Sequence, residues 1–338
     1  MSCQHVKAFL LTGLFLATTP AFADDGGNSK TIRLAVTDLM ETYGAEYPRG
    51  PEFQKRLDAL EQRLEAVACQ PPETVQQVKD ELRSLQREAL LANPLLDFNR
   101  LLLVKRAADS PKLGLPQNWQ SNASLPKADF RDAIMVLSPF DADSQMTTLY
   151  EPTDGRFVGD LDLDFEGERF LFSMRGNNGH WQVFEIGVDG AELRQLTGEQ
   201  PDVDSYDACY LPADKIVFTS SAYFNAVACT GDHAAVLYVM DADGRNIRQL
   251  TFDQEHDWSP AVLNDGRILY TRWEYTDTVH CHSRLLFQMN PDGTQQREYL
   301  GGNSYWPNAF FYARPIPRHP SKVIAVISGH HGVPRMGE

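Results

Sequence analysis

Between Pro51 and about Asn93 the apolar residues recur at steps of three and four. In "PEFQKRLDALEQRLEAVA", Phe53, Leu57, Leu60, Leu64 and Val67 make one stripe, which predicts an amphipathic helix with its charges turned to water. Pro51 suits a helix start, where its missing N–H is not needed. "CQPP" then interrupts the pattern. From Pro72 onward Val75, Val78, Leu82, Leu85 and Leu90 repeat the spacing. Asn93-Pro94 closes the run, because a residue before proline avoids the α region. Together the two runs predict an antiparallel α-helical hairpin with a structural role. Residues 107–130 are rich in Pro, Ser and Asn and read as a connecting segment.

From residue 131 the period changes to that of short strands. "GERFLFSM" (167–174), "ADKIVFTS" (213–220) and "DGRILYTR" (265–272) align, each with a turn before a β-rich core. Each is followed by a strand ending in Asp-Gly or its like: "VFEIGVDG", "LYVMDADG" and "LFQMNPDG". A further short strand comes next in each copy: "AELRQLT", "RNIRQLT" and "TQQREYL". The Asp-Gly pairs stand 54 and 49 residues apart. Several strands per period of that length, joined by Asp-Gly hairpin turns, predict a mainly β fold, a WD40-like β-propeller of about four blades. One such sheet cannot bury both faces alone, so neighbouring copies must stack. Tyr206, Trp258 and Trp306 fall at roughly equivalent places, which makes Trp258 first a blade residue. About four blades is fewer than most propellers close with, and the chain stops at "GVPRMGE" without a strand or polar cap. It therefore reads as a fragment, with the propeller truncated at its C-terminus.

Composition adds two constraints. Of 338 residues, 31 are Lys or Arg and 46 Asp or Glu, a net charge of -15. Nucleic acid and anionic lipid need clustered positive charge, so neither is an expected partner. The start follows a different logic: Lys7, then "AFLLTGLFLATTPAFA" ending in Ala21-Phe22-Ala23, describes a secretory signal over residues 1–23. Residues 24–106 then form the N-terminal helical region and 131–338 the propeller. No transmembrane span follows the signal, and the expected location is periplasmic or otherwise exported. Removing the signal leaves Cys69, Cys209, Cys229 and Cys281. In an oxidising compartment Cys209 and Cys229 are the best disulfide candidate, against buried thiols or a zinc thiolate.

Candidate chemistry is sparse. "TDTVHCHSR" (276–284) offers His280, Cys281 and His282, ligand types that suit zinc or haem iron. In an extended chain the two histidines point one way and the cysteine the other, so a loop fixed by imidazole hydrogen bonds competes with a metal site. His256 and Asp257 could orient an imidazole or share a metal. His330 and His331 lie in a Gly-flanked loop after a strand. "DADGRN" and "NPDGTQ" look calcium-like but lack the later bidentate Glu, and strand turns explain them better. Gly-x-Ser-x-Gly and His-Glu-x-x-His are absent.

Three long phrases carry a family resemblance: "NPLLDFNRLLLVKR" (93–106), "IRQLTFDQEHDWSPAVLNDGRILYTRWEYTDTVHCHSRLLFQMNPDGT" and "GGNSYWPNAFFYARPIPRHPSKVIAVISGHHGVPRMGE". Over most of residues 93–338 the chain resembles the hydrazine synthase alpha-subunit-like family, large secreted proteins with a WD40-like propeller as middle domain. Its repeats are also similar, in architecture alone, to Tol-system propeller proteins. The hydrazine synthase resemblance implies c-type haem and zinc in the full-length protein, with a downstream haem domain or another protein as partner. Covalent haem attachment needs Cys-x-x-Cys-His, and this chain has no such run; Cys281-His282 lacks a thiol at position 278. The resemblance places that motif beyond residue 338. Three functions follow as expectations: a binding or scaffold propeller of a larger exported protein; an oxidoreductase subunit acting on small nitrogen compounds; and a Tol-like envelope interaction protein.

Overall fold

The computed structural model describes residues 29–111, 122, 125–126, 128–140, 144–228, 231–275, 283–302, 307, 309–317 and 319–328. The chain divides into two compact units. Among the described residues, one comprises 29–103 with 135–140 and 144–147. The other holds the remaining described residues.

In the first unit three helices, α1 (Ser29–Tyr43), α2 (Gly50–Ala66) and α3 (Pro72–Leu91), share one core. α2 and α3 are the hairpin that the apolar spacing predicts, and α1 is added to it. Ile32, Val36 and Leu39 of α1 join Phe53, Leu57 and Leu60 of α2 and Val78, Leu82, Leu85 and Ala89 of α3. Leu90, expected in the stripe, is instead 41% exposed, and Ala89 takes the inward place. The reason is helical phase: Val78, Leu82, Leu85 and Ala89 keep steps of four, three and four, and Leu90 falls one residue off that face. The Tyr47 hydroxyl donates to the Ala89 carbonyl at 2.8 Å. Ion pairs such as Arg63–Glu81 and Arg33–Glu61 tie the helices at the surface, where each contributes little.

The strands of the chain are β1 (Leu101–Arg106), β2 (Asp132–Ser138), β3 (Gln145–Tyr150), β4 (Gly159–Leu163), β5 (Arg169–Arg175), β6 (Trp181–Gly187) and β7 (Arg194–Gln195). They continue as β8 (Ser205–Leu211), β9 (Lys215–Ser220), β10 (Val236–Asp241), β11 (Arg248–Gln249), β12 (Asp257–Val262), β13 (Ile268–Glu274), β14 (Ser283–Met289), β15 (Arg297–Leu300), β16 (Ala309–Pro315) and β17 (Val323–Ser328). β1, β2 and β3 form a three-stranded sheet. β4–β7 and β8–β11 are consecutive four-stranded antiparallel sheets, and β12–β15 repeats the arrangement. The β16–β17 hairpin begins a further copy, joined to β14 at Arg284 and Ala309. These are propeller blades, as the repeat predicts.

Each blade buries its faces against the next. Val183 and Leu171 of the first blade pack with Phe218 and Tyr238 of the second. Val217 and Leu237 of the second pack with Ile268 and Tyr270 of the third, and Leu269 and Leu286 of the third with Phe310. The Asp-Gly turns serve this stacking. Gly190, Gly244 and Gly293 all have φ between +83° and +87°, and each donates its N–H three residues back at 2.9 Å. A Cβ on Gly244 would lie 2.5 Å from the Leu196 carbonyl oxygen of the preceding blade.

Candidate functional site

His256 is fully buried just before β12. The Ala235 N–H donates to its Nδ1 at 3.0 Å, the Trp273 ring lies parallel at 6.1 Å, and Trp258 meets it edge-on at 5.6 Å. Burial, and then the Arg284 charge, push its pKa down to about 3. The ring is therefore neutral at pH 7, with Nδ1 already committed as an acceptor. Asp257 is equally buried, but its carboxyl lies beside Thr251 and Asp253 and near Arg272. Burial, and then Asp253, raise its pKa well above the carboxylate range. Arg272 pairs with Asp253 at 2.6 Å and with Glu274 at 2.8 Å. Adjacent in sequence, His256 and Asp257 have different surroundings, and the structure does not bring them together.

Cys209 lies buried in β8 and carries no disulfide among the described residues. Its thiol faces the Tyr210 carbonyl and Asp162. Burial, and then Asp162, hold its pKa well above the thiol's ordinary value, so it is a poor ligand and nucleophile. Cys229, His280, Cys281, His282, Trp306, His330 and His331 lie outside the described residues. Among the described residues, no three His, Cys, Asp or Glu side chains come together in a metal-holding arrangement.

A second group emerges from a feature absent from the sequence reading. In the four copies from β4 onward the first strand shifts register against the second, and at each shift one non-glycine residue has positive φ: Asp160 (53°), Asp207 (51°), Ser259 (52°) and Tyr312 (52°). Such backbone is disfavoured by about 1 kcal/mol or more and persists where the surrounding structure imposes it. A bulge re-aims its side chain. The residue just before it is Gly159, Tyr206, Trp258 or Phe311, so Phe311 holds the place in the fourth copy that sequence spacing gave to Trp306.

The bulges form a linked set because successive first strands pack side by side. The Ser259 N–H donates to Asp207 Oδ2 at 2.6 Å, and the Asp207 N–H donates to Ser173 Oγ at 2.8 Å. Ser173 and Asn122 both hydrogen-bond to Asp160, the amide at 2.7 Å. One step along, the Tyr210 N–H donates to Asp162 Oδ2 at 2.8 Å. From β16, Arg314 acts electrostatically on Asp160, Asp162, Asp207 and Tyr312. Burial and then the Asp160 charge push Asp207 up to about 7; burial pushes Asp162 up to about 6 and raises Asp160. Asp160, Asp162, Tyr312 and Arg314 keep partial solvent exposure. The cluster can hold a proton and hydrogen-bond a polar partner. Its signal in the sequence is three acids, Asp160 and Asp162 in "GDLDL" and Asp207 in "SYDACYL", inside strands that should have been apolar.

Repeated four-stranded sheets with a bulged first strand and Asp-Gly outer turns define a β-propeller protein. A chain of hydrazine synthase from Kuenenia stuttgartiensis is similar in fold, with a TM-score of 0.53 and 14% identity, over 69% of this chain and 36% of that one. This chain thus spans about a third of that longer one. TolB from Acinetobacter baumannii matches with a TM-score of 0.40 and 15% identity, over 60% of this chain and 47% of that one. Oligogalacturonate lyase from Vibrio parahaemolyticus matches with 0.46 and 10%, over 68% and 60%. No family model matches the chain, and no curated protein does.

Proposed function

We propose that this chain is a binding or scaffold propeller of an exported protein, and that the polar cluster of its first strands is the binding surface. One observation carries the reading. Asp160, Asp162 and Arg314, partly exposed, and the buried Asp207 come together from three sheets, on a frame whose blades pack face to face largely through apolar side chains. Acids in excess over one guanidinium suit a partner that presents cationic and hydrogen-bonding groups, such as a basic protein segment. The "AFLLTGLFLATTPAFA" run supports export. Among the described residues no helix is long and apolar enough to cross a membrane.

The test is cross-linking of the tagged protein in its own envelope fraction, comparing wild type with Asp162→Lys. A partner captured by the wild type and lost from the variant is the expected result. An identical captured set from both contradicts the reading, and recovery in the cytoplasm contradicts export. A Tol-like envelope role is one form the captured partner could take.

The likeness to hydrazine synthase favours a second reading, an oxidoreductase subunit for small nitrogen compounds using haem and zinc. The described residues do not fit those groups. There is no Cys-x-x-Cys-His run, the Cys209 thiol is held protonated, and His256 has its Nδ1 committed to Ala235. Haem and zinc assays on the full-length product separate the two readings.

A further inference from the structure

We propose that His180 and Asp202 form a site for a divalent first-row transition-metal ion, with Asp204 orienting the imidazole from behind. The residues come from two loops: His180 closes the turn between β5 and β6, and Asp202 and Asp204 lie just before β8. His180 Nδ1 stands 3.3 Å from Asp204 Oδ1. A carboxylate can only accept, so the neutral ring carries its proton on Nδ1 and its lone pair on Nε2. Among the described residues Nε2 makes no hydrogen bond, and Asp202 Oδ1 faces it at 3.9 Å. Metal bonds of about 2.0–2.2 Å to nitrogen and oxygen reach across gaps of up to about 4.2 Å, so one ion can bridge the two atoms.

The fold holds the imidazole and its orienting acid in place. Asp204 Oδ1 also accepts the Trp181 N–H at 2.8 Å. The Asp204 N–H donates to Ser221 Oγ at 2.9 Å, and its carbonyl accepts the Ser221 N–H at 3.0 Å. The His180 N–H donates to Asn178 Oδ1 at 3.1 Å, and the His180 carbonyl accepts the Gly176 N–H at 2.8 Å. A histidine that gives its second ring N–H to a carboxylate has the fixed tautomer and raised basicity that metal ligation uses. Asp202, with its side chain 81% exposed, has room to close on an ion. Glu199, on the same loop, is committed to the Asn177 N–H at 2.9 Å and shapes the turn instead.

Arg175 is the opposing charge. It faces Asp204, but it is stacked over the Trp181 ring at 4.6 Å and donates to the Gly179 carbonyl. Glu199, Asp202 and Asp204 outweigh it, so the two loops favour a cation. An imidazole nitrogen with one carboxylate suits the later first-row ions, of which Cu²⁺ binds most tightly. Two protein ligands leave the other positions to water, which makes the ion exchangeable. The site shares no residue with the first-strand cluster and stands apart from the proposed binding role.

Titration of the metal-stripped whole chain with Cu²⁺ tests it, read by calorimetry and by NMR of ring-labelled histidine, with the His180 signal assigned by its loss in His180→Gln. Excess Cu²⁺ should broaden the His180 signal of the wild type, and His180→Gln should bind one ion fewer per chain. Asp202→Asn and Asp204→Asn should each weaken that ion by about tenfold or more, the first by removing a ligand and the second by releasing the ring. A sharp, unmoved His180 signal in excess Cu²⁺ overturns the site, as does an unchanged ion count in His180→Gln. Wild-type affinity in Asp202→Asn overturns the two-residue site by showing an imidazole acting alone. Should Asp204→Asn fail to fold, the exposed Asp202 and the wild-type histidine signal still decide.

Discussion

The His256 imidazole is enclosed by Trp273 on one face, Trp258 at its edge and the Ala235 amide at Nδ1. Folding must bury it neutral, so its folded pKa of about 3 lies below the unfolded value. A depressed histidine contributes stability above the unfolded pKa and loses it as pH falls toward the folded one. From about pH 7 to about pH 4.5, wild type should therefore lose about 3 kcal/mol more than His256→Gln, read by denaturant unfolding. Equal losses would show that the ring is solvated. The chemistry of His256 singles it out in the sequence, yet most of its surroundings come from distant positions, Ala235, Trp273 and Arg284. The acids at 160, 162 and 207 are visible inside their β runs, but nothing local shows that bulges on two blades bring them together.

At the scale of elements, what the sequence made legible is local. The stripes of α2 and α3 and the Asp-Gly turns depend on near neighbours, and both are present. α1 went unread beside the secretory signal, although Ile32, Val36 and Leu39 keep helical spacing. The bulges were not legible, since register is set jointly with the partner strand. The turns give a paired test. Gly244→Ala meets both a left-handed backbone and the Leu196 carbonyl oxygen, and should cost about 3 kcal/mol; Gly266→Ala, with φ +85° and open space, should cost about 1 kcal/mol. Equal costs in urea unfolding would mean that the turn does not nest against the preceding blade.

At the scale of the whole molecule, three apolar interfaces hold the blades face to face, while the bulged first strands gather charge along their shared edge. The period near 50 predicted the stacking, because each sheet has two faces to cover. It could not predict that the cluster would draw on the first, second and fourth copies at once. That convergence is the central claim, and Asp207 and Arg314 report on it from different blades. The most direct measurement is a double-mutant cycle with Asp207→Asn and Arg314→Gln, by denaturant unfolding at about pH 8, above the value of about 7 to which Asp207 is pushed. A coupling of about 1–2 kcal/mol is expected. A coupling within error of zero would contradict the convergence and the binding surface built on it.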